Sequence, residues 1–508
     1  MAQRLVPINP SWPGGIAVGL TLALTFGTLG AVAMRADCDA GLGAADWAAI
    51  RFTISQAFVS ASLSCLLAIP VARALARRRF RGRSILVTLL GAPFLLPVIV
   101  AVLGLLAVFG RNGVLNAGLA AVGLPEVTIY GFQGVVVAHV FFNLPLVTRL
   151  ILQGWLAIPA ERFRLAASLD APVGRILERP MLRSVLPSAF LVVFLICLTS
   201  FAVALTLGGG PRATTVELAI YQALRFDFDL GRAAMLALIQ FTICLIAATF
   251  AWRLTSVDAI GTGLDRTVMR WDGNAVLDSV IIGLAAAFLL VPLAMIAWRG
   301  VPGLFELPSD IWRAAVRSVS VAVISSLLCI GLCLALALRG GKLVALVGVL
   351  PLAASSLVVG TGLFLIVYPF ANPAKLALAV TALVNAVLAL PFALRAVAPA
   401  VEKITRDYTR LGQMLDMSRW VWTTRVMLPR LRRPLGFAAG LAAALSMGDL
   451  GVIALFAGDA QETLPLAMYR LMGAYRMDAA AGAALLLLML SFALFWICDQ
   501  GGRVDADV

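Results

Sequence analysis

Thr215-Val-Glu-Leu-Ala-Ile-Tyr221 comes back in the second half of the chain as Thr463-Leu-Pro-Leu-Ala-Met-Tyr469. Three further pairs keep the same order at nearly the same spacing. Arg164-Leu-Ala-Ala-Ser-Leu-Asp170 returns as Arg410-Leu-Gly-Gln-Met-Leu-Asp416. Leu144-Pro145 followed by Arg149 returns as Leu390-Pro391 followed by Arg395, and Pro93 with Gly104 returns as Pro351 with Gly362. A recurrence at about half the chain length marks an internal duplication, and an even number of spans in each copy gives both copies the same orientation.

What is duplicated follows from the composition. Of 508 residues, 61% are hydrophobic and 13% charged, with mean hydropathy +0.98, whereas a soluble domain carries about a quarter charged residues. The class is all-α and polytopic. Twelve apolar runs of spanning length lie near 14–34, 52–74, 85–110, 129–152, 184–207 and 231–252, then 274–298, 314–338, 343–368, 376–396, 434–457 and 480–498. The first, Gly14 to Met34, is long enough to span and is expected to stay rather than be cleaved. The expected organisation is a first repeat over 1–252, a cytoplasmic linker over 253–273 and a second repeat over 274–508.

The net charge of +14 raises the question of nucleic acid, but the cations sit in short clusters between apolar runs. With the N-terminus cytoplasmic, the inside loops hold 28 Lys and Arg and the outside loops 12; Arg73 to Arg83 alone gives six, and Arg395 to Arg433 nine. This is the positive-inside pattern, and it puts both termini in the cytoplasm. One histidine excludes a site built on several His ligands. The cysteines form no CxxC and lie mostly in apolar runs, so they read as packing residues. No GxxxxGK[ST] occurs; Gly340-Gly341-Lys342 lacks the earlier glycine and follows an apolar span. The chain therefore carries no ATP site and expects no cofactor.

The longest cytoplasmic loop of each half reads as a short amphipathic helix, a turn, and a Pro leading into the next span. In the second copy Leu411, Met414 and Leu415 share a face with Tyr408, while Arg406, Arg410 and Gln413 face away. A helix of this kind is suited to a groove on a partner. The pattern resembles the coupling-loop signature of ABC importer permeases, Glu-Ala-Ala, three residues, Gly, then Leu-Pro. Arg164-Leu165-Ala166 and Arg410-Leu411-Gly412 stand at the Glu-Ala-Ala positions, with Ala167 and Leu169 following in the first copy and Leu415 in the second. Asp170 and Asp416 stand where the signature has Gly. Leu428-Pro429 ends the second copy thirteen residues on; the first reaches Pro180 after ten.

Longer stretches resemble the fused, two-repeat permeases of thiamine ABC transporters, notably Ser200 to Leu224, Asp229 to Gln240, Ser446 to Phe456 and Thr463-Leu-Pro465. The resemblance implies two parallel six-helix MetI-like repeats in a bacterial inner membrane. It implies a non-catalytic channel subunit served by a cytoplasmic ATPase homodimer and a periplasmic thiamine-binding protein, moving thiamine and its phosphate esters by alternating access. Ferric-iron permeases share the fused layout and remain the alternative on substrate.

Candidate pathway residues follow from cost. Asp449, within the eleventh span after Ser446 and Gly448, is an acid at membrane depth, and such groups usually face a bundle interior or a water path; a cationic substrate would be drawn to it. Ser200 marks the equivalent place in the first half, where no acid stands. Glu217, Tyr221 and Tyr469 belong to the external segments and are candidates for the outer mouth. His139 and Asn385 occupy equivalent positions and suggest interhelical hydrogen bonds. Gly208-Gly209-Gly210-Pro211 follows a helix instead of opening one, so it reads as a helix stop. An ion-coupled transporter would carry more intramembrane ionisable groups, and an intramembrane enzyme would need a convergent catalytic set.

Overall fold

The computed structural model describes residues 12–37, 41–91, 96–208, 210, 213–254, 274–352, 354–458 and 461–503. Pro93, Gly209, Pro211 and the linker from 255 to 273 lie outside the described residues. Every regular element among the described residues is helical. Eleven helices are long and apolar enough to cross a membrane, and Ser356–Val367 is a shorter apolar one. The chain is a multi-pass membrane protein.

In the first half, α1 (Trp12–Arg35) and α2 (Ala44–Arg77) are followed by α3 (Val98–Phe109) and α4 (Phe132–Ala157). The loop helix α5 (Ala160–Ser168) leads to a span broken into α6 (Arg179–Leu198) and α7 (Phe201–Leu207). Then come the short α8 (Val216–Arg225) and α9 (Leu230–Leu254). The second half repeats the plan. It has α10 (Ala275–Leu304), α11 (Ser309–Arg339), α12 (Ser356–Val367) and α13 (Pro373–Met414), which runs unbroken through the loop helix. The broken span α14 (Leu428–Met447) and α15 (Gly451–Phe456) precedes α16 (Leu464–Gly473) and α17 (Met477–Arg503).

The third span of each half is not the single helix expected over 85–110 and 343–368. In the second half the helix stops in a tight 3-10 turn at Leu350–Leu352 and restarts at Ser355, whose hydroxyl accepts the Val358 N–H at 3.1 Å. In the first half a short helix, Arg83–Leu89, precedes a restart at Pro97. Proline withholds a donor and excludes the α region from its predecessor, so each helix must restart. Pro70 and Pro145, by contrast, sit inside continuous helices.

The described residues fall into two compact units that cut across the sequence halves. One unit contains α1, residues 220–241 and the second half from residue 304; the other contains residues 41–219, 242–254 and nearly all of α10. Each half thus gives its first helix to the other half's unit. The duplicated glycines sit at these crossings. A Cβ on Gly362 of α12 would lie 2.5 Å from the Thr28 carbonyl of α1, and one on Gly104 of α3 would lie 2.7 Å from the Pro292 carbonyl of α10. Only glycine permits such backbone approach, the small-residue packing of membrane helices. α1 also crosses α11 at Gly14, where a Cβ would meet Arg339 Cβ at 2.4 Å.

Candidate functional site

Two constructions occur in both halves. The first is the loop helix. α5 ends with the Ala171 N–H on the Ala166 carbonyl (2.8 Å) and the Asp170 N–H on the Ala167 carbonyl (3.3 Å). The second copy repeats this with Met417 on Gly412 (3.0 Å) and Asp416 on Gln413 (3.2 Å). These are Schellman ends, whose closing residue takes a left-handed conformation. Asp170 and Asp416 take it, at φ 47° and 44°. That accounts for their standing where the signature has Gly: the backbone requirement is unchanged, and a short polar side chain tolerates it.

These turns leave an apolar knob uncovered. Leu165 and Leu169 are exposed in the first half, and Leu411, Met414, Leu415 and Trp420 in the second. Arg164, Ala167, Asp170, Arg410 and Asp416 are exposed as well, while Ala166 and Gly412 pack inward. Tyr408 is turned into the packing instead, with the Arg430 guanidinium 4.3 Å above its ring. Beyond each turn the chain passes through a wide helical turn, Gly174–Glu178 or Trp422–Met427, before a helix with Pro180 or Pro429 in its first turn. The extra length of the second loop includes the three-residue helix Arg419–Val421.

The anchors beneath the knobs differ. In the first half, buried Glu178 receives Arg73 (3.2 Å) and Arg77 (3.8 Å), while Asp278 of α10 receives Arg77 (3.9 Å) and Arg78 (2.8 Å). In the second half Trp422, Met427 and Leu431 sit in an apolar cluster with Val401 and Ile404. Sequence reading did not find this ionic anchor; the signal was the acid at 178 between basic runs.

The second construction is the broken span. Thr199–Ser200 interrupts the helix in the first half and Gly448–Leu450 in the second. Asp449 therefore lies in the break, not within a helix. Its Oδ1 accepts the Gly451 N–H at 3.3 Å, the Asn385 side chain lies close by, and Oδ2 is buried with no hydrogen bond among the described residues. Ser446, one turn before, receives Asn385 Nδ2 and donates to Ser325 Oγ, both at 3.0 Å. The first half has a related tie: Ser60 Oγ lies 3.4 Å from His139 Nδ1, and Gln56 donates to the Cys197 carbonyl at 2.9 Å. His139 and Asn385 thus both join interhelical networks; Ser60 and Ser325 were not singled out from sequence. Ser200 stands at the start of α7, half-buried and without a capping bond.

The short helices after the breaks are tied alike. Thr53 Oγ1 accepts the Val216 N–H at 2.9 Å, and Ser318 Oγ accepts the Leu464 N–H at 2.8 Å. Glu217 is fully buried, so in this conformation it lines no open surface. Tyr221 is buried and Tyr469 half-buried; the structure brings these two together near Arg470, which pairs with Glu462.

No family model matches the chain. Full-length relatives are nonetheless clear. The chain is 38% identical over 537 residues to the thiamine transport system permease protein of Escherichia coli, covering 100% of both chains. Identity is 37% over 519 residues to that of Brucella abortus, covering 97% of this chain and 96% of the relative. It is 34% over 469 residues to that of Haemophilus influenzae, covering 88% and 87%. With likeness running from end to end, through both loop helices and both broken spans, the chain belongs to the family of thiamine transport system permease proteins.

Proposed function

We propose that this chain is the membrane-spanning subunit of an ATP-driven importer for thiamine and its phosphate esters, in a bacterial inner membrane with both termini cytoplasmic. The observation that carries the reading is full-length kinship with thiamine permeases combined with two exposed knobs of identical backbone geometry. The chain itself hydrolyses nothing. Leu165 and Leu169 on one side, and Leu411, Met414 and Leu415 on the other, insert into grooves of a cytoplasmic ATPase homodimer. Burying such side chains yields about 1.5–3 kcal/mol each, enough for the loops to follow ATPase closure. The two halves then alternate between inward-open and outward-open states. A periplasmic thiamine-binding protein delivers the substrate; Ser446, Asp449, Tyr221 and Tyr469 of one unit are route residues, and Ser200 of the other marks the corresponding break. Glu217 joins that lining only in a state that uncovers it.

The test is co-purification with the ATPase subunit. Leu415→Glu combined with Asp416→Arg should abolish capture of the ATPase while leaving membrane insertion intact, because a charged knob is not accepted by an apolar groove. Normal capture by the double variant would sink the docking assignment.

A further inference from the structure

A run of aromatic rings descends from an exposed turn toward Asp449 within one compact unit. Phe228, in the turn two residues before α9, is 53% exposed and meets Tyr368 edge-on at 5.6 Å; Tyr368, 45% exposed, stacks on Phe364 at 5.8 Å and 11°. Phe364 in turn meets Phe456 at 5.5 Å, and both of these rings are buried. Phe456 ends α15, whose other end begins just after Asp449, about 10 Å away at 1.5 Å per residue. α12 runs beside α15, with Ser356 against Gly451 and Gly360 against Leu455. The inner rings of the ladder and the acid therefore share one helix pair.

Two features give this arrangement a chemical sense. Phe228 stands between Asp227 and Asp229, which engage Arg232 through its side chain (3.3 Å) and its amide (2.9 Å), so the exposed end of the ladder is acidic. Its inner end is the buried Asp449 Oδ2, which has no hydrogen bond among the described residues. Ring faces attract cations and flat rings, and a buried carboxylate calls for a positive partner. The corresponding helices of the first half carry neither these rings nor the acid. By the register of Gly104 with Gly362, and of the α7 and α15 starts, Leu106, Gly110, Thr206 and Thr199 stand where the second half has Phe364, Tyr368, Phe456 and Asp449.

We infer that this ladder, with Asp449 at its inner end, is a binding site for a flat aromatic monocation, built on α12 and α15 of the second half with Phe228 of the first as its outer ring. Phe228 and Tyr368 receive the ring at the surface, Phe364 and Phe456 back them, and Asp449 supplies the counter-charge within. The inference rests on the thiamine reading and deepens it, since a thiazolium joined to a pyrimidine is such a solute.

The experiment is uptake of labelled thiamine into proteoliposomes holding the chain, its ATPase and its binding protein, scored as thiamine moved per ATP hydrolysed. Phe228→Leu with Tyr368→Leu should lower that ratio about five-fold, as expected for losing two ring contacts. Tyr368→Phe, which keeps the ring, should stay within about two-fold of the parent. An unchanged ratio in the double leucine variant overturns the ladder and leaves the thiamine reading standing. A parent transporter that hydrolyses ATP yet accumulates no thiamine overturns both.

Discussion

Asp170 and Asp416 hold the left-handed turns that end the loop helices, and their substitution separates backbone need from side-chain chemistry. Asp416→Gly should be tolerated, with ATPase capture at the parental level. Asp416→Val should cost about 1–2 kcal/mol, since a β-branched residue is strained there, and should weaken capture; pull-down of the ATPase reads both. The departure from the signature's Gly was plain in the sequence, but its meaning was not, because φ is invisible until the turn is built. Asp449 is similar. An acid inside an apolar run could be read from sequence, whereas its place in a helix break depends on how α14 and α15 pack. Asp449→Asn should reduce thiamine uptake several-fold while co-purification with the ATPase is kept; unchanged uptake would remove it from the route.

Among the helices, the crossings at glycine carry the sharpest expectation. Gly362→Leu drives a side chain into the Thr28 carbonyl, and overpacking of this kind costs about 1–3 kcal/mol. Thermal unfolding of the purified chain should move down, while Gly19→Leu, with open space around it, should leave it unchanged. Glu178→Ala strips the ionic anchor beneath α5 of an acid that is only 8% exposed. Removing one partner of a buried pair costs about 3 kcal/mol or more, so this variant should unfold earlier than a substitution at exposed Asp227. Eleven long apolar helices and one shorter one were legible as twelve runs because length and hydropathy alone set them. The breaks in the third and fifth spans were not. Pro351 announced the first of these, but Thr199–Ser200 and Gly448–Leu450 carry no proline, and only tertiary packing stops the helix there.

For the whole molecule, duplication was the most legible feature, since four ordered pairs of segments leave little else to explain them. The exchange of α1 and α10 between units could not be read, because both are uniformly apolar runs whose hydropathy says nothing of their neighbours. The recurring Gly104 and Gly362 were its trace in the sequence, recognisable only once the crossings were built. Substrate belongs to this scale too, because on the proposed function the chain acts together with an ATPase and a binding protein. The most direct measurement is uptake of labelled thiamine and of ferric iron by cells with and without this chain, in a background retaining the ATPase and binding protein. Deletion should abolish thiamine uptake and leave iron uptake intact, with rescue by the intact chain. Loss of iron uptake with thiamine uptake preserved would contradict the assignment.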